Sequence, residues 1–192
     1  MQAENTLSSP TWVLEHDLTT IPSVVIGPPV YGHQTTEHNT RDKSKDITIA
    51  SNVSELELSN LFKLSKITCI AKLTMLTKLV LKGNDVTTFP SMSKLPLLLS
   101  VHISNMHKLK SVGKAVASAP ALRSLDVHNC RVFTTITNSF IAGVTSVGGM
   151  DSARTSLRFH TLRVTRCPLV IPRQMGDLAG LRVLYLADTF SL

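Results

Sequence analysis

Two imidazoles and a carboxylate, His102, His128 and Asp126, are the residues of this chain whose types could do chemistry. Brought together, they could bind a divalent metal or pass a proton. Without a pocket they read as solvated members of a polar surface, and His107 and His160 as further surface residues. The three cysteines, Cys69, Cys130 and Cys167, are odd in number and contain no CxxC pair. That argues against a disulfide framework or a zinc module and makes a reducing compartment the default. No nucleophile-elbow, P-loop, zincin or EF-hand pattern occurs, and the glycines from Gly143 to Gly149 lack the lysine that would cradle a phosphate. The sequence therefore predicts no catalytic residues, no metal and no cofactor.

Composition narrows the class. The 192 residues suit about one domain, 43% are hydrophobic and only 5% aromatic, so a core must be built from Leu, Val and Ile. No run approaches the roughly 18 apolar residues of a membrane span. Met1–Pro10 lacks a basic start followed by an apolar stretch, so no secretory signal is expected, the chain is expected inside the cell (cytoplasm or nucleus), and the sequon at Asn52 reads as chance. Charge is uneven: residues 1–50 carry a net −3 and residues 51–192 a net +10, which together give the total of +7. A basic body favours an acidic protein face, nucleic acid or an anionic membrane, or simply keeps the chain soluble.

The elements that could position such residues are set by a spacing that recurs from residue 50 to 192. Apolar residues 3, 3 and 2 apart occur in six copies: Ala50-Val53-Leu56-Leu58, Leu73-Leu76-Leu79-Leu81, Leu95-Leu98-Val101-Ile103, Ala119-Leu122-Leu125-Val127, Ser156-Phe159-Leu162-Val164 and Leu178-Leu181-Leu184-Leu186. Only Ser156 is polar. The second position falls at 53, 76, 98, 122, 159 and 181, so the steps are 23, 22, 24, 37 and 22 residues. The long step is one copy plus an insertion, and the Gly/Ser/Thr-rich stretch Thr137–Asp151 is expected to be that inserted loop.

The stretch Leu76-Thr-Lys-Leu79-Val-Leu81-Lys-Gly-Asn84-Asp-Val86-Thr-Thr-Phe89-Pro90 resembles the leucine-rich-repeat signature throughout, and Ile171 to Leu186 looks like the passage from one such repeat into the next. The resemblance covers about three-quarters of the chain. Repeats of this length are also similar to regulatory leucine-rich proteins that dock on phosphatases and to large leucine-rich families of protozoa. The resemblance implies an α/β solenoid, a horseshoe with a parallel sheet on its concave face and short helical or irregular segments on its convex face. Lys114–Ala119 before Pro120 is expected to make one or two helical turns, and Phe89-Pro90 with Leu95-Pro96 an irregular or 3₁₀ crossing. A fifth column, normally Asn or Cys, reads Leu61, Asn84, Met106, Cys130, Cys167, Thr189; Leu61 and Met106 depart from it, and their turns are expected to be held less tightly. Cys130 and Cys167 then stack about 5 Å apart, as two reduced thiols filling the ladder or, within reach, as a disulfide. Cys69 is most simply core.

Alternation along each strand turns Leu56 and Leu58 inward and Glu55, Glu57 and Ser59 outward. The outward set predicts a partner-binding face made of Glu57, Lys78, Lys82, His102, Asp126, His128, Arg163 and Tyr185. Arg163 and Tyr185 are of the types most enriched at binding hot spots. Residues 1–46 read as an N-terminal extension or degenerate cap, with 31–46 a flexible linker; Ile47-Thr-Ile49 could be a capping strand, and residues 47–192 form the repeat domain. Val183–Ala187 is expected to leave an exposed edge, as in a fragment of a longer repeat protein, a homodimer or a chain on which a partner subunit stacks. The function implied is a non-enzymatic module that binds another protein and no small-molecule substrate. The alternatives are a basic surface for nucleic acid or an anionic membrane, against which stands the near-absence of stacking aromatics, and a recognition subunit of a phosphatase or ligase complex.

Overall fold

The computed structural model describes residues 23–26, 53–61, 67–146 and 158–189. It is an α/β arrangement with little helix. Nine strands, β1 (Ser23–Ile26), β2 (Glu55–Ser59), β3 (Lys78–Lys82), β4 (Ser100–Ser104), β5 (Ser111–Val112), β6 (Ser124–His128), β7 (Thr135–Ile136), β8 (Thr161–Thr165) and β9 (Val183–Ala187), alternate with short crossings. Seven of them form one parallel sheet in the order β1-β2-β3-β4-β6-β8-β9, and β5 and β7 pair in a second, two-stranded parallel ladder. The strand beside β2 is Ser23–Ile26, inside the segment read as an extension; the proposed linker at 31–46 and capping strand at 47–49 lie outside the described residues.

The register follows the 3-3-2 spacing. Leu56, Leu79, Val101, Leu125, Leu162 and Leu184 are successive cross-strand partners, and so are Leu58, Leu81, Ile103, Val127, Val164 and Leu186. Side chains alternate across each strand, so these two columns face one way. From Leu56 to Leu162 and from Leu58 to Val164 they are essentially fully buried. The upstream column of Val53, Leu76, Leu98, Leu122 and Phe159 closes the same core. At β9 the covering thins, and Leu184, an inward-column residue, is 47% exposed.

The six strands β2, β3, β4, β6, β8 and β9 are each followed by a residue with positive φ, Asn60, Gly83, Asn105, Asn129, Arg166 and Asp188, with φ between 50° and 58°. Gly, Asn and Asp adopt this left-handed conformation at least cost, so five of the six positions suit it and Arg166 does not. At Gly83 space matters as well, since an added Cβ would lie 2.5 Å from Asn60 Oδ1.

One residue further on, a ladder of side chains binds the backbone of the preceding turn. Asn84 Oδ1 accepts the Leu61 N–H (2.9 Å), Met106 Sδ the Asn84 N–H (3.3 Å), Cys130 Sγ the Met106 N–H (3.4 Å) and Cys167 Sγ the Cys130 N–H (3.4 Å). Met106 does not loosen its turn as expected, because a thioether can serve as a weak acceptor. Leu61 supplies no acceptor of its own, and its N–H is held by Asn84 of the next turn. Cys130 and Cys167 are free, buried thiols; the side chain of Cys69 lies outside the described residues.

The stretch expected to be an inserted loop is in part a helix. Of the one or two helical turns expected over Lys114–Ala119 the structure has one, α1 (Lys114–Ala117), and α2 (Asn138–Ser146) occupies most of Thr137–Asp151. Thr137 Oγ1 accepts the Phe140 N–H at 3.2 Å, as an N-cap does. Phe140, Ile141 and Val144 then fall on one face and are buried, and the Phe140 ring meets Phe159 edge-on at 5.5 Å. Gly143 lets α2 approach α1: a Cβ there would lie 2.6 Å from that of Ala117. Propensity favoured a loop, but burial of an apolar face overrode it.

Candidate functional site

The inward columns leave three outward rows on the other face of the sheet. The first runs Glu55, Lys78, Ser100, Ser124, Thr161, Val183; the second Glu57, Val80, His102, Asp126, Arg163, Tyr185; the third Ser59, Lys82, Ser104, His128, Thr165, Ala187. All eight residues expected to form the partner-binding face, Glu57, Lys78, Lys82, His102, Asp126, His128, Arg163 and Tyr185, therefore stand on one face. Adjacent strands lie about 4.8 Å apart, so each row is a continuous line of side chains. Val80, counted among the outward positions, is buried all the same, at 8% exposure between Glu57 and His102.

Charge is organised along the rows. At the β2–β3 end Lys78 Nζ meets Glu55 Oε2 at 3.3 Å and Lys82 Nζ meets Glu57 Oε1 at 2.9 Å. The Ser59 hydroxyl also donates to Glu57 Oε1, at 2.6 Å. Those two hydrogen bonds, Ser59 first and Lys82 second, hold the Glu57 carboxyl below its ordinary value of 4.5. In the middle, His102 Nδ1 lies 3.3 Å from Asp126 Oδ2, and His128 Nδ1 lies 2.6 Å from Thr165 Oγ1. His102 and His128 are engaged with different partners, so the structure does not gather the two imidazoles and Asp126 into one centre. Among the described residues no group of three or more His, Cys, Asp or Glu side chains could hold a metal ion.

At the far end the pattern changes. Arg163 is exposed beside Asp126 and Tyr185, and Asp126 is turned to His102. One residue before the strands lies a row the sequence reading left out of the face: Arg123, His160 and Arg182. The His160 N–H donates to the Arg123 carbonyl and the Arg182 N–H to the His160 carbonyl, both at 2.9 Å, so the three are neighbours along the sheet margin. Their place in sequence, each immediately before the first strand residue, was the signal that could have found them.

The thiol pair is part of the scaffold. Cys130 and Cys167 are fully buried, each donates to a backbone carbonyl, and each accepts an N–H. The neighbouring Cys167 thiol, with burial second, pushes the Cys130 thiol up, which keeps it protonated.

No protein-family model matches the chain, and no curated protein matches it. Among the described residues no helix is long and apolar enough to cross a membrane.

Proposed function

We propose that this chain is a leucine-rich-repeat solenoid whose outward sheet face binds another protein, without catalysis. The observation that carries the reading is a parallel sheet with one open face. Parallel sheets are ordinarily covered on both faces and their strands are apolar throughout. Here β2, β6 and β8 alternate between fully buried and half-buried or exposed residues, and the open face carries charged, hydroxyl and aromatic side chains. Two further observations support the repeat. The inward columns recur at β2, β3, β4, β6, β8 and β9, and Asn84, Met106, Cys130 and Cys167 each tie their turn to the one before. Stacked turns of this kind supply extended binding surfaces, because no single turn can bury its own leucines. Two reduced, buried thiols suit a reducing compartment, in keeping with an intracellular site of action.

The test is capture of partners from a lysate of the source organism by the full chain, compared with two variants. One carries His102→Glu and Arg163→Glu on the open face. The other carries Ile171→Glu and Met75→Glu, at exposed apolar positions outside the sheet. The reading expects proteins held by the wild type and the second variant to be lost from the first. Partners retained by the first variant and lost from the second would move binding off the sheet.

A further inference from the structure

The two ends of the open face differ in what they leave unpaired. At the β2–β3 end two glutamates meet two lysines in pairs, and that end is close to neutral. At the β6–β9 end Arg163 stands on the outward face as the cross-strand partner of Asp126, which already contacts His102, and Arg123 and Arg182 are exposed at the sheet margin, each one residue before its strand. Among the described residues none of these three guanidinium groups has a carboxylate within salt-bridge distance. His160 stands between Arg123 and Arg182, its Nδ1 2.9 Å from its neighbour Thr161 Oγ1. Tyr185, 54% exposed, is the cross-strand partner of Arg163.

We propose that this end of the sheet, with Arg163 and Tyr185 on its open face and Arg123 and Arg182 exposed at its margin, takes an acidic segment of the partner protein. This rests on the protein-binding reading above and adds the chemistry of the partner. Arg123 and Arg182 stand two strand spacings apart, about 10 Å, and Arg163 lies a few residues along the middle strand. An extended peptide crossing the strands advances about 3.4 Å per residue, so carboxylates two or three residues apart reach successive arginines. Each guanidinium offers a planar pair of donors to a carboxylate, and the Tyr185 ring supplies an apolar wall with a polar tip. A nucleic-acid strand suits the surface less. Glu55 and Glu57 stand at the opposite end of the same face, Tyr185 is the one Phe, Tyr or Trp on the outward rows, and His102 and His128 there are engaged with Asp126 and Thr165, so neither a continuous basic track nor a run of free stacking rings is present.

The experiment is fluorescence anisotropy at low ionic strength with the full chain and three labelled probes: a short peptide alternating Glu and Ser, the same peptide with Lys for Glu, and a short oligothymidylate. The Glu peptide is expected to bind and the Lys peptide not. Arg163→Gln with Arg182→Gln should weaken binding about fivefold, since two charge-assisted contacts are lost together. Arg163→Glu with Arg182→Glu should weaken it further, whereas Lys78→Gln with Lys82→Gln should leave it within about twofold. Melting curves identify any variant that fails to fold, and the Gln pair, at exposed positions, is the safer one. The proposal is overturned by no binding of the Glu peptide, by equal losses from the Arg and Lys pairs, or by an oligothymidylate that binds more tightly than the peptide. If the peptide fails while the open face still captures a protein, the acidic chemistry falls and the protein-binding reading stands.

Discussion

The Asn84 side chain donates from Nδ2 to the Leu58 carbonyl across 2.8 Å, from one turn of chain to the turn before it. Its Oδ1 holds the Leu61 N–H as well, and Asn84 is fully buried. Asn84→Ala removes a second bond from the Leu58 carbonyl, which also lies in the β2–β3 ladder, and leaves the part-buried Leu61 N–H without its acceptor. Urea denaturation should register a loss of about 1–3 kcal/mol. Asn84→Cys, which places at this turn the residue used two turns later, should recover part of it. An Ala variant as stable as the wild type would mean that water replaces both bonds.

Leu79→Ala tests the register. Leu79 is fully buried between Leu56 and Val101, so its truncation should cost about 2–5 kcal/mol in chemical denaturation. A change within about 0.5 kcal/mol would contradict the column.

Phe140→Ala separates helix from loop. A loop residue would tolerate the change, but Phe140 is buried in α2 against Phe159. The expected loss is about 3–5 kcal/mol, and deleting residues 138–146 should abolish cooperative unfolding rather than leave it intact.

Arg166 sits at φ 54°, where the equivalent residues at three other strand ends are asparagine. Arg166→Asn should raise stability by about 0.5–1 kcal/mol, because Asn tolerates the left-handed region better. The Arg166 Nε–Asp188 Oδ2 contact that it removes is 3.6 Å long and exposed, so it offsets little of the gain. A lowered melting temperature would refute the strain argument.

The Glu57 carboxyl is held low in the folded chain, by Ser59 and Lys82. A depressed carboxylate contributes stability above its unfolded value near 4.5 and loses it as pH falls through the folded value. Acid unfolding of Glu57→Gln should therefore differ least from wild type at low pH, with the wild type's advantage growing as pH rises from the lowered folded value toward about 4.5 and staying level above it. Parallel curves for the two proteins across that window would contradict the linkage.

Most of the sheet was legible in the sequence because inward and outward residues alternate with period two and the same 3-3-2 spacing recurs. Those two facts fix which side Leu56 and Glu57 take and which residues become partners. What stayed illegible depends on tertiary contact. Asn138–Ser146 looks like a loop by its Gly, Ser and Thr content, and only the packing of Phe140 and Gly143 makes it a helix. Met106 looks like a departure because a thioether is a poor acceptor in water, yet in a buried ladder it binds the Asn84 N–H. Val80 looks exposed by alternation and is covered. Arg123 and Arg182 precede their strands, so a reading confined to strand positions passes over them, although backbone pairing at the sheet margin lines them up.

The central claim is that the open face of the sheet is where a protein partner sits, and site-specific photo-cross-linking tests it most directly. A photoreactive amino acid is placed singly at His102, at Tyr185 and at Ile171, the first two on the open face and the third exposed outside the sheet. Each full-length protein is then irradiated in a lysate of the source organism. The account predicts one and the same cross-linked partner from His102 and Tyr185 and none from Ile171. A partner cross-linked from Ile171 and not from the face would contradict it.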